Sequence, residues 1–308
     1  MKSTRKSYGE ALVNLGKKDK DVVVMDADLA HATQTLLFKN EFPERHINVG
    51  IAEQDLVGTA CGLALSGKKV YLSSFAMFLA GRAYEQIRNT AAYSNIPVKL
   101  CATHSGLSVG EDGATHQMLE DISLMRTIPN MVVLSPADEV STKYLINNIK
   151  DYDKSPVYVR LGRCDVPEIY KEDEIFEIGK SKIFGTGTKA TIFATGYTLH
   201  IAIEAMQILK EKGVDVRVVD IYSIKPIDKE TIIKCAKETD KLITIEDHSI
   251  IGGIGTAICE VLADEYPKKV TRIGVNDTFG KSGSVKELMN MYKITKEHII
   301  EEVLKKEE

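Results

Sequence analysis

Residues 103 to 117 read Thr-His-Ser-Gly-Leu-Ser-Val-Gly-Glu-Asp-Gly-Ala-Thr-His-Gln. Histidines, acids and glycines crowd this stretch, and no helical or strand period runs through it, so packing does not account for its composition. An apolar run, Val98 to Ala102, precedes it and reads as a strand. A polar, glycine-rich loop beyond a strand end is where α/β enzymes place their chemistry. Glycine lets the backbone turn tightly and approach a ligand. His104, Asp112 and His116 are therefore candidates to meet a group with exchangeable protons or negative charge. An ordinary loop with surface histidines is the competing reading.

Three further segments bear on chemistry. Asn48-Val-Gly-Ile-Ala-Glu53-Gln-Asp55 precedes a helix of apolar and small residues, Leu56 to Leu65. Glu53 then lies near a helix start, either as a favourable acid in the first turn or as a carboxylate held beside a ligand nitrogen. Phe75 and Phe78 are three apart and share a face on a helix or turn. Such a pair is usually core, but it also suits the wall of a pocket for a flat heterocycle. Arg5, Arg160 and Arg163 sit near segment ends. Solvated surface is the default for them, although a guanidinium matches a phosphate well. Gly252-Gly-Ile-Gly255 opens a helical pattern and reads as a close helix–sheet contact, because the rest of a dinucleotide-binding unit is missing.

The elements that must position these residues alternate along 308 residues. Asp21 to Met25, Lys69 to Leu72, Val98 to Ala102, Met131 to Leu134 and Val157 to Arg160 read as strands. Helical patterns lie near 7–17, 53–66, 78–93, 117–126 and 137–149. The alternation pauses between Pro167 and Gly179 and then resumes. Ala190 to Ala194, Val214 to Ile221, Lys241 to Ile245 and Val270 to Ile273 are strands. Helices are expected up to Lys212 and over 228–238, 253–265, 283–291 and 295–305. The fold class is α/β, with two domains, each a mostly parallel sheet flanked by helices. The division is placed at 1–170 and 171–308.

The composition, 44% hydrophobic and 27% charged, is that of a soluble globular protein. A net charge of -4 supplies no basic footprint, so nucleic acid is not an expected partner. No run approaches the roughly 20 apolar residues of a membrane span, and Met1 to Tyr8 lacks the apolar stretch of a secretory signal. The cysteines are odd in number and far apart, which points to reduced thiols in a cytoplasm.

Taken as a set, Gly50-Ile-Ala-Glu53-Gln, the Phe-containing segment after Ser73 and Gly110-Glu-Asp-Gly-Ala-Thr-His-Gln117 resemble transketolase. The similarity runs from Ser3-Thr-Arg-Lys6 to Phe279-Gly-Lys-Ser-Gly283. It covers the pyrimidine-binding and C-terminal domains, the C-terminal half of a full-length transketolase. The Gly-Glu-Asp-Gly-x-Thr-His-Gln string separates the family from the beta subunits of pyruvate dehydrogenase; deoxyxylulose phosphate synthase is nearer. The family holds the diphosphate of thiamine diphosphate through Mg²⁺ (or Ca²⁺) with a Gly-Asp-Gly segment and a later Asn. The only look-alike here, Gly110-Glu-Asp-Gly113, belongs to the other motif. The resemblance therefore implies one half of a split enzyme, with the metal held by an N-terminal partner subunit, no metal ligand on this chain, and an α₂β₂ assembly.

Roles follow from the resemblance. Glu53 hydrogen-bonds N1′ of the cofactor's aminopyrimidine and drives activation of its thiazolium carbon. Phe75 and Phe78 bracket the pyrimidine, and Asp28 is an acid near the cofactor. His104 and His116 bind sugar hydroxyls and shuttle protons, as histidine can near neutral pH. Asp112 reads the acceptor's C2 hydroxyl. Arg5 and Arg163 clamp the phosphate of the sugar phosphate substrates. The reaction implied moves a two-carbon ketol unit from a ketose phosphate to an aldose phosphate.

The chain departs from the family in three places. Ala52-Glu53-Gln54 stands where many members have Arg-Glu-His, an aromatic residue is replaced around Gly81, and Ala30-His31-Ala32 replaces a Ser-containing phosphate contact. These leave Glu53 intact and bear on sugar specificity. Two rival readings are a deoxyxylulose phosphate synthase-like or 2-oxoacid dehydrogenase-like half, and a non-catalytic interaction subunit that retains the fold.

Overall fold

The computed structural model describes residues 1–306. The chain forms two α/β units, Met1–Ser105 with Leu124–Phe176, and Gly106–Ser123 with the residues from Glu177 onward. The expected division at 170 lies close to the change at Phe176, while the segment 106–123 clusters with the second unit.

In the first unit the strands are β1 (Val22–Asp26), β2 (His46–Asn48), β3 (Lys69–Phe75), β4 (Lys99–Thr103), β5 (Val132–Leu134) and β6 (Val157–Arg160). They lie in the order β5-β6-β4-β3-β1-β2, every pair parallel. Strands covered on both faces read as continuous apolar runs, and β1 and β4 are buried throughout. The register pairs Asp26 with Asn48 and with Ser73, and Phe75 with Thr103. The carboxyl ends of four strands therefore share one sheet edge, and the turns that follow them all start there.

Helix α1 (Thr4–Lys18) buries Tyr8, Ala11, Leu12 and Leu15 and places Lys17 and Lys18 in its last turn, where cations favour the helix dipole. Each large apolar side chain so covered contributes about 1.5–3 kcal/mol. Helix α2 (Glu53–Leu65) buries Leu56, Val57, Ala60 and Cys61. Helix α3 (Glu139–Asn148) starts at a reciprocal cap between Asp138 and Ser141.

The second unit has β7 (Lys182–Phe184), β8 (Ala190–Ala194), β9 (Arg217–Asp220), β10 (Lys241–Ser249) and β11 (Val270–Val275), in the order β11-β10-β8-β9-β7. Only the β9–β7 pair is antiparallel. Helix α4 (Ile254–Glu265) follows the Gly252-Gly-Ile-Gly255 turn, whose first helical N–H groups, of Ile254 and Gly255, donate to the Glu246 carboxylate at 2.7 and 3.1 Å. An acid of the chain itself fills that helix start, and a side chain on Gly255 would press on Thr244 of β10 at 2.8 Å. The turn is thus a helix–sheet contact, as its sequence indicated.

Several expectations shift. The strand expected from Val214 begins at Arg217, and the one expected to end at Ile245 continues to Ser249. The helix expected from 117 begins at Asp121, because Gln117 and Leu119 are engaged elsewhere. The helix expected over 78–93 opens into wide π-type turns at Met77–Arg82 and Ile87–Ala92, around one α turn at Tyr84–Gln86. Strands β2 and β7, and the short antiparallel pair Lys2–Ser3 with Asp165–Val166, were not foreseen. All five cysteines are free thiols. No helix among the described residues is long and apolar enough to cross a membrane.

Candidate active site

At the carboxyl edge of the first sheet, side chains form an unbroken line of contacts. Glu53 opens α2 and is 1% exposed. Its Oε2 accepts a hydrogen bond from Arg82 Nη1 at 2.6 Å. The Arg82 guanidinium lies over the Phe78 ring, 4.8 Å from its centre. Phe78 faces Phe75 with centroids 5.7 Å apart and planes within 15°. Phe75 in turn stacks on His104 at 3.8 Å. His104 Nε2 lies 3.4 Å from Arg5 Nη1, and Arg5 Nη1 also donates to the Ala32 carbonyl at 2.8 Å. Residues scattered from position 5 to position 104 meet because four parallel strands end together.

The turns are held from below. Asn48, the last residue of β2, accepts from the N–H groups of Asp28 and Gly50 with one side-chain oxygen, both at 2.9 Å. Its amide donates to Asp28 Oδ1 at 3.3 Å. One side chain thereby ties the Asp28 turn to the turn that delivers Glu53. Asp28 has φ 62°, a conformation in which a short polar side chain is among the better tolerated.

Beneath the Asp28 turn lies Asp26, fully buried. It accepts from Thr33 Oγ1 at 2.7 Å, from Thr35 Oγ1 at 3.1 Å, and from the Leu29 N–H. Burial pushes its carboxyl up to about 6, against those hydrogen bonds and with help from the Asp28 charge. His46 Nε2 lies 3.4 Å from Thr35 Oγ1, and burial pulls this imidazole down to about 4.

Two contacts bear on the His104 tautomer, which is assigned from its neighbours. A guanidinium only donates, so Nε2 facing Arg5 is the acceptor. The ring proton then sits on Nδ1 and is donated to Thr103 Oγ1 at 2.9 Å. His104 also has φ 54°, in the left-handed region that costs a side-chain-bearing residue energy and recurs at functional positions. In that tautomer Nε2 is the ring atom that could take a proton from a hydroxyl.

In the second unit, the polar loop is anchored by Asp247 of β10. Its carboxylate accepts from the N–H groups of Leu107 at 2.6 Å and Ser108 at 3.2 Å. Gly106 has φ 79°, and a Cβ there would run into that carboxylate. Gln117 braces the other end, donating to the carbonyls of Gly110 and Lys281 at 3.0 and 2.9 Å. Between these anchors Asp112 is exposed and His116 half-buried, its Nδ1 3.0 Å from Thr115 Oγ1.

The first unit thus assembles Glu53, Phe75, Phe78, His104 and Arg5 by direct contact, and Asp28 through Asn48. Arg163 follows Gly162, whose N–H donates to Thr4 Oγ1 at 2.7 Å and whose carbonyl accepts from the Arg5 N–H at 3.4 Å. That pairing brings its backbone to the start of α1. Asp112 and His116 belong to the loop of the second unit. Arg82 is the site residue that the motifs do not reveal. Its spacing of four from Phe78 was the available signal.

The set suits one kind of ligand. Glu53 Oε1 is buried and has no hydrogen-bond partner among the described residues. A buried acceptor left unpaired costs about 1–3 kcal/mol, so a donor or protonated ring nitrogen would satisfy it. Near-parallel phenylalanines in the same line of contacts suit a flat heterocycle. The aminopyrimidine of thiamine diphosphate fits both features. Among the described residues no group of three or more His, Cys, Asp or Glu side chains is arranged to hold a metal ion.

Comparison with known proteins agrees in both units. Residues 1–168 match the pyrimidine binding domain of transketolase, and residues 179–299 its C-terminal domain. A Methanocaldococcus jannaschii protein named as a putative transketolase C-terminal section is 53% identical over 306 residues, covering 98% of this chain and 96% of that protein. One subunit of the apulose-4-phosphate transketolase of Phocaeicola vulgatus is 40% identical over 305 residues, 99% of this chain and 97% of that one. A solved structure described as a split gene transketolase, inactive beta4 tetramer, superposes with a TM-score of 0.91 at 44% identity, over 98% of this chain and 97% of that one.

Proposed function

The chain belongs to the transketolase family, of which it comprises the pyrimidine-binding and C-terminal domains, and on that premise we propose that it is the C-terminal subunit of a split, thiamine diphosphate-dependent transketolase. The reaction is transfer of a two-carbon ketol unit from a ketose phosphate to an aldose phosphate. The observation that carries this reading is the Glu53 carboxylate: buried, open at Oε1, and linked through Arg82 to a stacked aromatic pair.

Thiamine diphosphate, when bound, supplies the nucleophilic carbon and the electron sink that C–C cleavage beside a carbonyl requires. The chain supplies the rest. Glu53 holds a proton at the pyrimidine ring nitrogen, and Phe75 and Phe78 orient the ring by stacking. His104, with Nε2 accepting, takes a proton from a sugar hydroxyl. Arg5 and Arg163 bind the sugar's phosphate, which a fixed guanidinium does well. Asp28 adds a carboxylate near the cofactor. Asp112 reads the acceptor's C2 hydroxyl, and His116 exchanges a proton with the sugar. Mg²⁺ and the diphosphate are assigned to a separate N-terminal subunit, in an α₂β₂ assembly, and the free thiols suit a reducing cytoplasm. The domain limits 1–170 and 171–308 are retained for this reading.

The test is reconstitution. The chain, a candidate diphosphate-binding partner, thiamine diphosphate and Mg²⁺ are mixed, and ketol transfer from xylulose 5-phosphate to an aldose phosphate is assayed. Activity from the mixture and from neither part alone is the expected result. An assembled complex that binds cofactor, ignores ketose phosphates and releases CO₂ from pyruvate would move the chain to the 2-oxoacid branch.

A further inference from the structure

Arg82 has no part in the roles just given, yet it is the only residue whose hydrogen bond to the Glu53 side chain the geometry defines among the described residues. Glu53 is 1% exposed, while the Arg82 side chain keeps 48% of its surface. The two carboxylate oxygens are therefore unequal. Oε2 is bound at 2.6 Å by a donor that cannot lose its proton. Oε1 is buried and unpartnered. The donor is itself fixed twice. Its guanidinium rests on Phe78 at 4.8 Å, and its backbone carbonyl accepts from Gln54 Nε2 at 3.4 Å. Arg82 ends the first π-type turn, four residues after Phe78, so one widened turn presents both the aromatic wall and the clamp.

We propose that Arg82 is a positioning residue for Glu53: it holds Oε2 on a guanidinium that itself lies over Phe78, and so turns Oε1 to the pyrimidine nitrogen of the cofactor. The inference rests on the reading of Glu53 as the pyrimidine-facing acid. The backbone at a helix start leaves a glutamate several rotamers. Satisfying one oxygen with a fixed donor selects among them. Because Arg82 stacks on Phe78, a ring that slides along that wall also tightens or loosens the clamp. Ring placement and carboxylate orientation are thereby coupled through one side chain.

The test uses the complex assembled with its partner, thiamine diphosphate and Mg²⁺, in wild type, Arg82→Met, Arg82→Lys, Glu53→Gln and the double variant Arg82→Met with Glu53→Gln. Cofactor affinity is measured calorimetrically, and exchange of the thiazolium C2 hydrogen with deuterium is followed by NMR without sugar. Arg82→Met is expected to slow exchange about 10- to 100-fold, as misplacement of a reacting group does. It is expected to weaken cofactor binding, with the KM values of both sugars unchanged. Arg82→Lys, which keeps a donor, is expected to recover part of the exchange rate. In the Glu53→Gln background the Arg82→Met change is expected to add nothing further. Wild-type exchange and affinity in Arg82→Met would overturn the proposal, as would an undiminished loss in the Glu53→Gln background. If Glu53→Gln itself exchanges like wild type, the assignment of Glu53 fails, and the proposal falls with it. If Arg82→Met does not assemble, Arg82→Ala takes its place in the cycle with the same expectations, and wild-type affinity and exchange in that variant would equally overturn the proposal.

Discussion

Asp26 and His46, on the adjacent strands β1 and β2, share Thr35. Its hydroxyl donates to Asp26 Oδ2 at 3.1 Å and lies 3.4 Å from His46 Nε2. Burial moves the two groups in opposite directions, the acid from 3.8 up to about 6 and the imidazole from 6.5 down to about 4. Between pH 4 and 6 the folded Asp26 holds more proton than the unfolded one, so its contribution to stability grows as pH falls. The folded His46 holds less, so its contribution is lost as pH falls through the same window. Each is worth about 3 kcal/mol across its range, and they oppose one another. Asp26→Asn is therefore expected to lose stability, relative to wild type, on acidification from pH 6.5 to 4. His46→Gln is expected to gain it from pH 6 to 4. Urea midpoints at pH 4, 5 and 6.5 read both; parallel curves for all three proteins would refute the pairing.

Asp247 is expected to be the main anchor of the 106–117 loop. Asp247→Ala strips the acceptor from two buried N–H groups, and each charged hydrogen bond of that kind is worth about 1.5–3 kcal/mol. Asp247→Asn retains one oxygen and should fall between. Gly106→Ala meets both the left-handed φ and the carboxylate, and should be at least as damaging. Thermal unfolding gives the stability loss. Hydrogen exchange at Leu107 and Ser108 should rise in the Asp247 variants and identifies the loop as its origin.

Helix α2 carries Gly58 and Gly62 on its exposed face, and a Cβ at either would meet nothing within 4 Å. Glycine within a helix costs about 0.5–1 kcal/mol relative to alanine. Gly58→Ala should accordingly stabilise the isolated chain by roughly that amount. If a partner subunit approaches this face, Gly58→Leu should weaken assembly without destabilising the chain alone. Denaturation of the single subunit and sedimentation of the mixture separate the two effects. Loss of stability in the isolated Gly58→Ala chain would contradict the exposed placement.

Metal removal should act on the assembly and not on this subunit. With no arranged cluster of metal ligands among the described residues, EDTA is expected to leave the melting temperature of the isolated chain unchanged. The reconstituted enzyme should lose cofactor and activity under the same treatment and regain both with Mg²⁺. A chelator-dependent drop in the isolated chain's melting temperature would place a metal site on it.

Much of this was legible because burial writes itself into short strands. β1, β3, β4 and β6 are covered on both faces, so their apolar runs stand out. β2 did not stand out because it has three residues of mixed exposure at a sheet edge. The segment after Phe75 reads as one helix, yet its turns widen, and hydrophobic spacing does not distinguish a π turn from an α turn over so few residues. Glu53 and His104 were visible by residue type. Their pairings were not: Arg82 lies 29 positions from Glu53, and Arg5, itself a candidate by residue type, lies 99 from His104. Only strand register brings such pairs together, and a single sequence does not encode it locally.

The passage of residues 106–123 into the second unit bears on how this protein can be recombined. A crossover between relatives near residue 170 would leave the loop with one parent and Asp247, Ser249 and Lys281, its hydrogen-bonding neighbours, with the other. A chimera that exchanges the second unit must carry both pieces of it, although residues 124–176 of the first unit stand between them in the gene. Residues 106–123 and the anchors that hold them therefore have to be inherited together.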